Sequence, residues 1–219
     1  VRARAWYAII AVLVLAGLVI QIMVAIDASA LPPSHNVGEL RGAPAFTRLL
    51  RVFSFFTIQA NILSMLAAAQ LARNPNRDGF AWRVLRQNVQ IGITITGIVY
   101  STVLARTHEP TGWQQVSTNT VFHYVVPIMM VLGWLLFGPR PRMTVPVVVS
   151  ALVWPIVWLA YTLAHGEASQ WYPYPFVDVA THGYGQVAIN SVLVCLVYLA
   201  TSGLYALADR KLPATEPPA

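Results

Sequence analysis

Charge is scarce in this chain. Only 10% of its 219 residues are charged, against about 25% in an ordinary soluble domain, too few to clothe a water-exposed surface. Lysine is nearly missing: Lys211 stands alone beside thirteen arginines. No apolar run therefore holds a lysine for a Schiff base, which excludes a retinal photoreceptor. Cysteine is limited to Cys195, and one thiol forms no internal disulfide and says nothing of redox compartment. No Cys/His spacing suits a metal ion, and nothing implies a cofactor. Internal repeats are absent, and the only low-complexity stretch is the polar tail 213–219. No acidic residue falls inside an apolar run, which argues against a proton- or cation-coupled pump.

Apolar sequence is what the chain has, 57% of it. Six runs stand out, at 6–26, 48–72, 88–106, 119–138, 144–164 and 183–208. Each approaches the roughly 20 residues that a helix needs to cross about 30 Å of hydrocarbon. Strand-type alternation is missing, and an open sheet in lipid leaves backbone groups unpaired. The expected fold is an all-α bundle of six membrane-spanning helices within a single domain, 1–208, followed by a tail, 209–219. A cleavable signal peptide is the alternative for the first run, because Ala28-Ser29-Ala30 resembles a cleavage site. The run is longer than the 7–15 apolar residues usual in such a leader.

The net charge of +6 invites a nucleic-acid reading, but the basic residues cap apolar runs and form no patch. Arg2, Arg4, Arg73, Arg77, Arg83, Arg86, Arg140, Arg142, Arg210 and Lys211 fall on one side of the expected bundle. Arg41, Arg48, Arg51 and Arg106 fall on the other. The side richer in Arg and Lys is expected to be cytoplasmic, which places both termini there. Arginine-rich usage suggests a GC-rich bacterial genome and hence a plasma membrane. The opposite side collects Asp27, Glu39, Glu109, Glu167 and Asp178 with His35, His108, His165 and His182. The aromatic loop from Trp171 to Phe176 lies there too, held extended by Pro173 and Pro175, and is expected across the bundle mouth.

Polar residues recur on single faces of the runs. The second carries Ser54, Thr57, Asn61 and Ser64. The third carries Gln90, Thr94, Gly97 and Ser101, and the fourth Asn119 and His123. The last carries His182, Gln186 and Asn190. Trp154, Trp158, Tyr161 and His165 line one face of the fifth. Each stripe fits either interhelical glue, worth about 0.6–2 kcal/mol per hydrogen bond, or the wall of a shared polar cavity. His123 is the sharpest signal, because an ionisable group inside a span is a functional candidate. Pro127 four residues on clashes with the His123 carbonyl and predicts a kink beside the imidazole. Pro155 predicts a kink in the fifth run.

Three segments resemble a known family. Phe55-Phe56-Thr57-Ile58-Gln59-Ala60-Asn61 is similar to the second-helix motif of the androgen-induced protein family. That family includes the androgen-dependent regulator of tissue factor pathway inhibitor. The string Asn119 to Pro127, with His123, is similar to its Asn–His–Pro string, and Trp171 to Asp178 to its aromatic segment before the last helix. The spacing to the proline differs by one residue, and Thr120 stands where the family carries a second His. The resemblance implies a six-span membrane hydrolase of fatty acid esters of hydroxy fatty acids. Its nucleophile would be Thr57 and its base His123, with fatty-acyl esters and membrane lipids as partners.

On that reading His123 takes the Thr57 proton, an acyl-threonine forms, and water releases it. Thr57 falls roughly 9 Å along the axis from Arg51, and His123 roughly 6 Å inside its helix start, at about 1.5 Å per residue. The two depths agree. Asn61 could feed an oxyanion or serve as glue, and Asn119 could orient the imidazole or cap its helix. Arg51 could hold a substrate carboxylate or mark the membrane edge. Trp158 and Gln186 are candidates for the cavity wall. Asp178 and His182 could reach the mouth or simply cap and solvate the loop. A small-solute transporter and a non-catalytic lipid-binding scaffold are the competing functions.

Overall fold

The computed structural model describes residues 1–27, 43–106, 109–138, 140 and 142–213. Ala28, Ser29, Ala30, His35, Glu39, Arg41 and His108 lie outside the described residues. Among those described, every regular element is helical: α1 (Arg2–Ile26), α2 (Ala45–Ser54), α3 (Phe56–Arg73), α4 (Phe80–Val99), α5 (Gly112–Thr120), α6 (Val126–Phe137), α7 (Val145–Ala151), α8 (Val153–Ser169) and α9 (Val179–Lys211). A π-helical turn, Tyr100–Leu104, extends α4. A second, Val121–Val125, joins α5 to α6.

Four stretches are long and apolar enough to cross a membrane: α1, α5 through α6, α7 through α8, and α9. The pair α2 and α3 makes a fifth if its 74° bend belongs to one span. α4 is not among them, and Arg83, Arg86, Gln87, Asn88 and Gln90 crowd its first three turns. Large apolar side chains point outward along these helices, among them Val12, Leu15, Leu136, Ile156, Val192 and Leu196. Exposed hydrocarbon on that scale marks a surface made for lipid.

The structure corrects three expected runs. The helix expected over 48–72 is broken at Phe55, whose backbone is extended (φ −66°, ψ 129°). Its first part, α2, sets Arg48 and Arg51 among Phe46, Leu49, Leu50 and Phe53, a mixture suited to an interfacial helix. Arg48 is buried and donates to the carbonyls of Ala25 (2.6 Å), Ile26 (2.7 Å) and Ala43 (2.5 Å). It caps the carbonyl end of α1, where a cation is favoured. The third helix starts at Phe80, eight residues before the expected 88, and the fourth at Gly112, seven before the expected 119, so His123 lies further from its helix start than expected.

The core forms where α1 lies on α3, through Tyr7, Ile10, Val14 and Leu18 against Ile58, Ala60, Ala67 and Ala68. Small residues let the two backbones approach closely. A Cβ on Gly17 would come within 2.7 Å of the Phe122 ring, so glycine lets that ring pack directly on the α1 backbone. Pro155 brings no N–H to pair with the Ala151 carbonyl. The Tyr198 hydroxyl donates to that carbonyl at 3.2 Å instead.

Candidate functional site

A broken helix leaves backbone groups without helical partners on both sides of the break. Here side chains satisfy them. Trp158 Nε1 donates to the Ser54 carbonyl at 3.0 Å, and Gln59 Nε2 to the Phe53 carbonyl at 3.0 Å. The Tyr174 hydroxyl accepts the Thr57 N–H at 3.1 Å. Aromatic rings brace the same place. Phe56 stacks on Trp154 at 4.5 Å, and Phe55 meets Tyr174 edge-on at 5.4 Å. Thr57 is thereby held in the first turn of α3, 8% exposed, where the helix dipole favours negative charge.

The partner residue sits on the π-turn, whose cause is Pro127. The Val126 N–H reaches back five residues to the Val121 carbonyl, and Pro127 has no N–H to give. The Phe122 carbonyl is left without a helical donor, and Asn61 Nδ2 takes it at 3.3 Å. The same amide nitrogen reaches the Thr57 carbonyl at 2.9 Å. Asn61 thus ties α3 to the π-turn, and the expected kink appears as one wide turn. α4 makes room through Gly97. A Cβ there would lie 3.1 Å from the Pro127 ring and 3.4 Å from the His123 carbonyl oxygen.

These two irregularities bring Thr57 and His123 together. Thr57 Oγ1 is 3.5 Å from His123 Nε2. His123 Nδ1 is 3.1 Å from the Asn119 carbonyl, and a carbonyl only accepts, so Nδ1 carries the proton. Nε2 then offers its lone pair to the hydroxyl. The contact is looser than the 2.6–3.2 Å of a working acid–base pair, as free sites commonly are. Tyr100 stacks on the imidazole at 3.9 Å and fixes its plane. Tyr174 OH lies 3.2 Å from Thr57 Oγ1. Burial pushes the Tyr174 phenol above its usual range, against the Thr57 hydroxyl and the α3 N–H groups, which pull it down. It stays protonated at neutral pH.

Thr57 forms part of the wall of a cavity of about 240 Å³ between α3, α4, α8 and α9. The wall is almost wholly hydrocarbon and aromatic, with Val99, Leu152, Leu159, Phe176 and Leu199 in it. Trp158, expected as a wall residue, is there, and so is Cys195. His123 is not part of the wall. It meets Thr57 from the π-turn, outside that wall.

The other expected residues scatter. Asn119 orients the imidazole through its backbone carbonyl. Arg51 lies 5.1 Å over the Trp171 ring and outside the cavity wall. Gln186 is exposed and bonds to Asn190 at 3.0 Å. Asn190 in turn holds the Phe176 carbonyl at 2.9 Å, so this ladder pins the aromatic loop to α9 and stays out of the cavity wall. Asp178 caps α9 by accepting from the Thr181 N–H at 3.1 Å. His182 is exposed on the first turn beyond that cap. Trp154, Tyr161 and His165 also stay out of the wall. Tyr161 bonds Ser54 Oγ at 2.7 Å, and His165 stacks on Tyr161 at 5.5 Å.

Sequence reasoning missed Tyr174, Tyr100 and the Asn61–Phe122 tie. Tyr174 was within the aromatic loop expected over the mouth, but no spacing signals that one hydroxyl would reach down to Thr57. Among the described residues, no three His, Cys, Asp or Glu side chains gather as metal ligands would. Comparison of the chain with protein-family models, curated proteins and solved structures finds no match.

Proposed function

We propose that the protein is a membrane-embedded hydrolase of fatty-acyl esters, with Thr57 as nucleophile and His123 as general base. One observation carries the reading. A threonine hydroxyl at a helix N-terminus lies 3.5 Å from Nε2 of an oriented imidazole, and the same threonine borders an apolar cavity of about 240 Å³. A hydroxyl next to a base is the arrangement that nucleophilic catalysis needs. The hydrocarbon wall suits an acyl chain, with the ester carbonyl at Thr57. Attack by Oγ1 forms the acyl-threonine as the proton passes to Nε2. His123 then protonates the leaving alcohol, and water reverses the sequence.

The resemblance of residues 55–61, 119–127 and 171–178 to the androgen-induced protein family supports the same reading. We place the protein in a bacterial plasma membrane as six spans with both termini cytoplasmic. α4 with its π-turn and the bent pair α2–α3 then count as one span each, and the Arg-rich end faces inward. The cavity alone also suits a lipid-binding protein without turnover. Purified protein incubated with a long-chain p-nitrophenyl ester separates the two. Turnover lost in both Thr57→Ala and His123→Ala is expected. Wild-type protein that binds the ester without cleaving it leaves the lipid-binding reading in its place.

A further inference from the structure

An ester attacked by Thr57 develops negative charge on its carbonyl oxygen, and the surrounding wall is almost all hydrocarbon. Such a charge needs a hydrogen-bond donor about 2.7–3.1 Å away. Asn61 does not supply it: its Nδ2 is engaged by two carbonyls. Trp158 Nε1 is committed to the Ser54 carbonyl. The Thr57 N–H is committed to the Tyr174 oxygen. The remaining donor in contact with the reacting hydroxyl is the Tyr174 phenol, 3.2 Å from Oγ1 and in the cavity wall.

We infer that Tyr174 is the oxyanion donor of this site, its phenol oxygen held by the α3 N-terminus and its proton directed at the reacting centre. The inference rests on the hydrolase reading of Thr57 and His123. Before attack, the phenol proton points at a lone pair of Thr57 Oγ1, which turns the threonine proton toward His123 Nε2. As the Oγ1–carbon bond forms, the carbonyl π pair moves onto its oxygen, one bond angle from Oγ1. The phenol proton swings across to that oxygen and stays on the phenol throughout. Collapse of the intermediate expels the alkoxide, which takes its proton from His123. Tyr174 therefore exchanges no proton, and its effect falls on kcat. The cap ties the two roles together: the Thr57 N–H that fixes the phenol belongs to the nucleophile itself, so donor and nucleophile keep one geometry.

A tyrosine that merely plugs the end of α3 makes a different forecast, and sulfur distinguishes the two. A thionoester carries C=S in place of C=O, and sulfur accepts a phenol hydrogen bond poorly. Wild-type protein is expected to prefer the oxygen ester. Tyr174→Phe is expected to lower kcat on the oxygen ester by about 10²–10³-fold with KM little changed. Its preference for oxygen over sulfur should shrink at least about tenfold. A Phe variant that is slower but keeps the wild-type oxygen/sulfur ratio overturns the proposal, as does one with undiminished kcat. Fluorotyrosines at 174 keep the ring and the cap if the Phe variant does not fold. kcat should then rise with phenol acidity, and a flat series also overturns the proposal. Thr57→Ala in the same assay tells the two claims apart. Turnover surviving in Thr57→Ala removes the hydrolase reading and this inference with it. Turnover lost in Thr57→Ala with an unchanged ratio in Tyr174→Phe removes this inference alone.

Discussion

Two polar stripes of similar sequence have different fates in the bundle. On α4, Gln90 Nε2 donates to the Tyr205 hydroxyl at 2.9 Å, and Thr94 Oγ1 meets the same hydroxyl at 2.9 Å. The helix there is regular, Thr94 also bonds back to the Gln90 carbonyl at 2.7 Å, and the result is a closed seam between α4 and α9. On α3, Thr57 and Asn61 stand next to a helix break and a π-turn. There the Asn61 side chain serves a displaced backbone group, and Thr57 borders a cavity. The comparison teaches that polarity in a span does not separate glue from chemistry. Backbone irregularity is what sets these two stripes apart, because it creates both the unpaired groups that orient side chains and the space beside them.

Substitutions sharpen this contrast. Thr57→Ala is expected to cut ester turnover roughly 10⁴-fold or more, as loss of a nucleophile does elsewhere, while leaving the thermal midpoint nearly unchanged. A bulky alkylating agent on Cys195 is expected to block turnover of long-chain esters, because that thiol is in the cavity wall. It should spare short-chain esters, and equal inhibition of both would place the acyl chain elsewhere. Asn61→Leu removes a buried bond within α3 and the buried bond that joins α3 to the π-turn, and is expected to cost about 1–3 kcal/mol of stability. Turnover should fall with it, because the Thr57–His123 contact depends on that tie. Tyr205→Phe is the matched change in the closed seam. It should cost about 0.6–2 kcal/mol and leave kcat unaltered; a large loss of kcat there would erase the distinction.

The smallest effect is expected at Asp78. Its carboxylate bonds Arg83 and Arg142 at 2.7 and 2.8 Å, and the Arg83 bond holds it below the usual carboxylate range. A lowered folded pKa means the contribution is present above the unfolded value of about 3.9. It disappears as pH falls through the lower folded value. The pair is well exposed, so screening leaves little of it. Asp78→Asn should change the thermal midpoint only slightly at neutral pH, a difference that fades in strong acid, and should not touch turnover.

The helical class and four of the expected runs were legible because long apolar runs permit little else in lipid. His123 and the disturbance at Pro127 were legible because proline chemistry is local. The Phe55 break was not, since neither glycine nor proline marks it. The clue was the pair Arg48 and Arg51 within two turns of an otherwise apolar run, which reads as an interfacial helix once α2 is seen apart from α3. Measuring the depth of Thr57 from Arg51 along one axis therefore used a helix that does not exist. The contacts of Tyr174 and Asn61 were beyond reach for another reason. Each joins residues separated by 61 or more positions, and no local pattern encodes which hydroxyl or amide will meet a displaced backbone group.

The central claim, that the imidazole of His123 activates the hydroxyl of Thr57, is tested most directly by a long-chain fluorophosphonate and mass-spectrometric mapping of its adduct. The account predicts one adduct, on Thr57, formed by wild-type protein and lost in His123→Ala. An adduct on another residue, or one on Thr57 that forms equally fast without the imidazole, would contradict it.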